Sequence, residues 1–497
     1  MSTFKQKSLF AALAGLGVLG VVDSAQAVHI NQDGLGQALV YPYYTARTTT
    51  GPNAYVTALS VVNTTASAKA VKVRFLEGKN SQEVLDFNLF LSQYDVWTAG
   101  IVANGPGAGV FTLDHSCTTP KVSSDSANPT KFRNGAYASD GGGDTLDRTY
   151  EGYFEILEMG SIDGGSPLEA SVTHSQDLSS PNASKPACTG LPVSDSKPSY
   201  LSAPTGGLMG TASLINVNEG TDMSYDAVAF DGWSDVVNWS GPGSVLPRLQ
   251  DASPAVSVVI DNTSTGGRVI RTNWGALANG RDAVSATMMR SHVYNEYTVE
   301  SAIKAATDWV VTMPTKRFYV TSGGAVRPFQ SAFGSKGSCD TISLTYYDRE
   351  EQTPGAIIDF SPTTPESRSL CWEANVLTFS ANGGSATTSH VLASTNTANV
   401  ALNSSWINGW ADLSFPNTSG TIHTLPAPTG GTTTVDVNSV NGQGGGVTTG
   451  RNITYYGLPV VGFAVQSYST TGLPGVSANV LSNYGGNFNH KYMRTIN

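Results

Sequence analysis

The sequence predicts an all-β protein of two immunoglobulin-like, β-sandwich-type domains with long loops and a few short helices. Three observations predict it. Apolar residues recur at period two over short runs, as in Val71-Lys72-Val73-Arg74-Phe75, where alternate side chains fall on opposite faces of a strand. Charged residues make up only 13% of the 497-residue chain, which disfavours long solvated helices. Clusters of Gly, Pro, Asn, Ser and Thr separate the apolar runs without a fixed period, so the pattern is that of a sandwich rather than a repeat array.

Residues 36–47, GQALVYPYYTAR, open the β pattern. Gln37, Leu39 and Tyr41 alternate with Ala38 and Val40, and Pro42 cannot donate to a sheet ladder, so this strand is expected at an edge or end. Its tyrosines read as packing residues rather than a sugar platform. Residues 55–62 form a second strand, followed by the polar link 63–67. In the next strand Val71, Val73 and Phe75 face a core, leaving Lys72 and Arg74 on a wet face. Leu85, Phe87, Leu89 and Leu91 repeat the two-residue period, and residues 92–98 turn into a strand carrying Val96.

Further along, Phe154 and Ile156 share one strand face with Glu155 on the other. After a loop around residues 179–199, two strands flank a hairpin at 218–222. Helical composition is confined to residues 283–291, with Asp282 as the expected cap, and 299–305. Pro314 blocks continuation, and residues 316–320 return to an extended pattern. Strands are expected at 342–347, 376–379, 391–402 and 460–468, with residues 425–451 as a long exposed loop. Gly241-Pro242-Gly243 and Pro247 break the pattern. The division is therefore a leader at 1–27, a β-sandwich-like domain at 28–240 and a β-rich domain at 241–497.

Lys5 and Lys7, the apolar run 9–22 and Ala25-Gln26-Ala27 form a secretory leader with a mature start at Val28. The apolar run is short of the ~20 residues a membrane-spanning helix needs, so no integral span is expected in the mature chain. A net charge of −10 disfavours nucleic acid and anionic membranes as partners. The four cysteines suit an oxidising compartment, and sequential pairing of Cys117 with Cys188 and Cys339 with Cys371 is the simplest of three connectivities. The phrases INQDGLGQALVYPYYTAR, AVKVRFLEGKNSQEVLDFNLFLSQYDVWTA, NEYTVESAIKAATDWVVTMPTKRFYV and LPVVGFAVQSY resemble a group of secreted Gram-negative proteins described as cell-surface proteins. The resemblance covers most of the mature chain. It implies a surface or extracellular location and brings no catalytic residues with it.

Chemistry leaves few traces. GxSxG, HExxH and P-loop patterns are missing, and the seven histidines are scattered. Glu155 with Glu158, and Asp348 with Glu350 and Glu351, are the acid clusters a glycosidase would need, although Glu155 and Glu158 should lie on opposite strand faces. Asp140, Asp144 and Asp147 on a glycine-rich loop form a candidate calcium site, the one cofactor the sequence suggests.

These readings leave three functions: a non-catalytic surface-layer, matrix or filament subunit; a secreted carbohydrate-active hydrolase or carbohydrate-binding protein; and an outer-membrane β-barrel. The first is preferred, with the chain itself or other envelope components as partners. Location is secreted, at the cell surface or outside it, with periplasm and outer membrane as alternatives. Val28, Ile30, Leu39 and Tyr41 are the residues of a first strand that would complete a neighbour's sheet.

Overall fold

Two large antiparallel sheets face each other across an aromatic core in the first half of the chain. The computed structural model describes residues 26–47, 54–175, 184–261, 267–275, 280–352, 369–381, 386–403, 405–415, 423–428, 433–437, 447–449, 452–469 and 483–497. The leader falls outside these residues up to position 25.

The strands of the first half are β1 (His29–Ile30), β2 (Ala38–Thr45), β3 (Tyr55–Asn63), β4 (Lys69–Glu77), β5 (Glu83–Leu91), β6 (Val96–Asn104), β7 (Gly107–Phe111), β8 (Cys117–Thr119) and β9 (Thr130–Lys131). They continue with β10 (Glu151–Ile162), β11 (Leu201–Ser202), β12 (Leu208–Asn216), β13 (Thr221–Asp226) and β14 (Val228–Asp231). One sheet runs β1-β14-β2-β10-β4-β5-β8 with β11 beside β10, the other β13-β12-β3-β6-β7-β9. Val71, Val73 and Phe75 of β4 meet Leu59 and Val61 of β3 in the shared core. The period-two reading of these strands therefore holds, and the protein is all-β.

In the second half the described strands divide among smaller sheets, the largest built on Ala306–Thr312 between Ala374–Ala381 and Val461–Ser469. Both main hydrophobic clusters draw on residues from either side of position 240: Val376 and Phe463 join the sandwich core, while Val40, Tyr153 and Phe230 join the core of the second half.

Several expectations are corrected. Lys72 and Arg74 do not face water: β4 is buried along its whole length. The segment expected as a break lies across that face instead, with Gly241 O and Ser244 O accepting from Lys72 Nζ at 3.0 and 3.3 Å. The strand β2 is flanked by β14 and β10 rather than sitting at an edge. Pro42 is tolerated because pairing with β14 ends at Val40 and the β10 register slips beside it; Thr312 Oγ1 donates to Pro42 O at 2.6 Å.

Asp282 is not a cap. The helix Arg281–Met288 starts after Gly280 at φ 63°, and Asp282 accepts from Arg281 Nε and Tyr319 OH. Residues 299–305 hold only the short 3-10 turn Ser301–Ile303, and residues 316–318 form another 3-10 turn where an extended run was expected. In the 391–402 region the strand is Thr397–Leu402, because Ser389 and Ser394 close a tight backbone turn before it. Within the expected loop 425–451, Thr433–Val437 pairs with Arg268–Asn273; the rest of that stretch lies partly outside the described residues. The helix Pro167–Val172 was unforeseen, though Ser166 caps it and Pro167 opens it, both ordinary start signals.

Candidate functional site: buried acids and two open sheet faces

Two of the sequence's candidate acids, Glu155 and Glu158, are spent on the fold. Arg74 Nη1 lies 2.8 Å from Glu155 Oε2 and Arg74 Nε 2.7 Å from Glu83 Oε2. Burial pushes the Glu155 carboxyl up, and Arg74 opposes that shift. On the other face of β10, Lys69 Nζ meets Glu158 Oε1 at 2.8 Å with both side chains fully out of solvent. Glu158 also accepts the N–H groups of Thr205 and Gly206. As alternation requires, Glu155 and Glu158 point apart and form no acid pair. Asp348 Oδ1 accepts from Glu350 N and Gln352 N in a turn, and Glu350 and Glu351 stand exposed beside it.

The glycine-loop carboxylates do not gather around a cation position. Arg148 grips Asp140 with two bonds, Nη1 to Oδ1 at 2.7 Å and Nη2 to Oδ2 at 2.9 Å, and also reaches Glu77. Asp144 accepts from Ser139 N, and Asp147 from Thr145 Oγ1. Among the described residues no three His, Cys, Asp or Glu side chains come together as a metal site. An arginine supplies the positive charge that the sequence assigned to calcium.

Both disulfides are the sequential pairs, Cys117–Cys188 and Cys339–Cys371. The first fastens the helix Pro167–Val172 over Phe90 and Met159 at the sheet's edge, where Cys188 N also donates to Ser171 O. Together they mark an oxidising, extracytoplasmic compartment.

The strand-exchange residues lie inside their own molecule. His29 and Ile30 pair with β14, and Val28 bridges to Ser257 by exchanging backbone bonds with Val256 and Val258. Leu39 and Tyr41 pair on β2, and Tyr41 stacks on Phe154 with ring centres 4.1 Å apart. Such burial is worth roughly 2 kcal/mol for a large side chain. The neighbouring hydroxyls are satisfied too: Tyr41 donates to Ser60 O at 2.7 Å and Tyr43 to Glu151 Oε2 at 2.8 Å.

Two perturbed acids join the halves of the chain, and no local pattern signals either one. Burial pushes Glu151 up, but Arg47 at 2.6 Å and the hydroxyls of Ser394, Thr395 and Tyr43 outweigh it and hold the carboxyl at about 2. Burial raises Glu373 to about 8, against the pull of Lys316 and the bond from Ser81 Oγ at 2.8 Å. Both side chains are sealed in the interior, Glu373 at 1% exposure, so neither faces a cleft where substrate would sit.

Among the described residues, two sheet faces stand open. On the sheet formed by Ser343–Asp348, Asn408–Ser414, His292–Thr298 and Lys491–Met493, the outward face carries Tyr347, Trp410, Tyr294 and His292. Tyr347 stacks on Trp410 at 4.4 Å, Trp410 lies 6.3 Å from Tyr294, and Tyr294 stacks on His292 at 5.9 Å. Asp412 holds His292 at 2.9 Å, and Trp410 is 42% exposed. One signal for this row was present: consecutive Tyr346 and Tyr347 on a strand must point to opposite faces, so one of them faces out. The second open surface is the outer face of the six-stranded sheet. Comparison with known protein families, curated proteins and solved structures finds no match.

Proposed function

We propose that the chain is a non-catalytic structural or interaction protein of the cell exterior, a surface-layer, matrix or filament subunit. The observation that carries this reading is the fate of Glu155 and Glu158, whose carboxylates hold Arg74 and Lys69 in the buried sheet. Groups committed in this way stabilise a scaffold and are closed to substrate. Disulfides that cross-link long stretches of chain, and a secretory leader, support the exterior location. Fractionating cells and treating intact ones with protease tests the reading. The expected result is that the chain stays with the envelope and is digested from outside; recovery in the cytosol, or full protection in intact cells, contradicts it.

One observation favours a second reading, binding of a polysaccharide. The row of Tyr347, Trp410 and Tyr294 offers aromatic surface beside the polar groups of Asp412, Glu296 and Lys491, a combination suited to a ligand with both CH and hydroxyl faces. Quenching or enhancement of tryptophan fluorescence by a panel of polysaccharides, abolished by Trp410→Ala, supports this reading; an unchanged spectrum across the panel removes it.

A further inference from the structure

The six-stranded sheet turns one face into the core and, among the described residues, leaves the other open. In register across β12, β3 and β6, the centre of the open face is Thr211, Ser60 and Thr98 in one row and Ser213, Ala58 and Gly100 in the next. Short side chains make this centre flat. Four of its hydroxyls pair within the face, Ser60 Oγ lying 3.0 Å from Thr211 Oγ1 and Ser213 Oγ 2.6 Å from Ser224 Oγ. Removing them from water therefore strands few polar groups.

Apolar side chains rim the flat centre. Met209, Val62 and Val96 form the row at one end, with Met209 42% and Val96 46% exposed. Phe111 and Leu113 stand at the side of a shallow groove of about 430 Å³, and Leu113 is 72% exposed. The sheet's five longer strands hold five to nine residues each and together present roughly 600 Å² at ordinary strand spacing and rise, somewhat below the ~800 Å² per partner of a specific interface.

Charge also selects the occupant. A chain of net charge −10 repels its own copies, so self-association is least opposed where charge is missing. The strands β12, β3, β6 and β7 bring no ionisable side chain to this face. The charges lie at its margins: Asp222 and Asp226 are exposed on β13, and Lys131 is exposed on β9 opposite Gly109. A two-fold axis parallel to the strands, between two stacked sheets, lays the acidic margin of each copy over the basic margin of the other. The same operation carries each Leu113 across to the β12 side of its partner, as an isologous contact requires.

We propose that a second copy of this chain docks on the outer face of the six-stranded sheet, sheet upon sheet about that axis. The inference rests on the reading of the chain as an assembling subunit and names the partner at one of its surfaces. Sedimentation velocity of the purified full chain across a concentration series tests it. Wild type is expected to shift from monomer to dimer in roughly the micromolar range. Thr98→Lys places like charges near the axis and should weaken association by roughly tenfold or more. Leu113→Asp should do the same from the rim, and Val326→Lys, on an exposed site elsewhere, should not. All four proteins should keep the same near-ultraviolet spectrum, because the substituted side chains are exposed or rim-standing. A wild type that sediments as monomer throughout, or Thr98→Lys and Leu113→Asp variants that associate as wild type does, overturns the proposal. A monomer still held at the cell surface sinks this interface alone, whereas loss of surface retention sinks the functional reading.

Discussion

Arg74 and Glu155 stand opposite each other on β4 and β10, joined at 2.8 Å with both side chains nearly excluded from water. Glu83 binds the same guanidinium at 2.7 Å. The geometry makes Arg74 the shared partner of two largely buried carboxylates. Arg74→Met leaves both behind and should cost about 3–5 kcal/mol of unfolding free energy, measured by urea titration. Glu83→Gln, at a more exposed position, should cost far less. Equal losses in the two variants would show that the arrangement of charge is not what matters there.

Glu373 makes stability fall with pH. A carboxyl raised from its ordinary 4.5 to about 8 holds its proton more tightly in the folded chain. Its contribution is complete below the ordinary value and is lost as pH rises toward about 8. Glu373→Gln should flatten the fall in urea midpoint across that window. Glu151 acts in the opposite sense, since its carboxyl is held at about 2 and its contribution disappears only in strong acid.

Gly210 is fixed by the tyrosine next to Pro42. A Cβ at Gly210 would stand 1.8 Å from Tyr41 Oη and 2.5 Å from Ser60 O. Gly210→Ala should therefore destabilise by about 1–3 kcal/mol. Tyr41→Phe removes the hydroxyl, so the double variant should lose less than the sum of the two single losses. Strict additivity of the melting data would show that Tyr41 and Gly210 do not share this space.

Strand β4 shows how far the sequence was legible. Period-two alternation identified Val71, Val73 and Phe75 as core residues because burial of one face writes itself into local order. The position of β2 between β14 and β10 was hidden, since those strands come more than a hundred residues later and a local pattern does not reveal partners. Lys72 and Arg74 misled for the same reason. A charge reads as solvent-facing until the carboxylates and the 241–244 backbone that cover it are known. Asp140 attracted a metal assignment because Arg148, only eight positions away, gives no sign in one dimension that it folds back.

The disulfides should contribute unequally according to the chain they close. Separations of 71 and 32 residues correspond to loop-entropy contributions of roughly 4.4 and 3.7 kcal/mol. The Cys117→Ser/Cys188→Ser variant should thus lose somewhat more stability than Cys339→Ser/Cys371→Ser in matched urea titrations. A reversed order would point to native-state packing, rather than loop closure, as the dominant effect.

Trp410→Ala separates binding from folding. The residue is exposed and stacked on Tyr347, so truncation should cost only about 0.5–1.5 kcal/mol of stability. Calorimetric titration with any polysaccharide that wild type binds should then show its affinity reduced in the variant. Unaltered affinity would remove this aromatic row from the binding account.

As proposed, the chain works as a building unit of the cell exterior. Electron microscopy of native envelope material, with antibody against the chain carrying a gold label, tests it most directly. Label is expected on the outside of the cell over ordered layers, matrix or filaments. Label confined to the cytoplasm, or dispersed with no envelope or extracellular structure beneath it, would overturn that role.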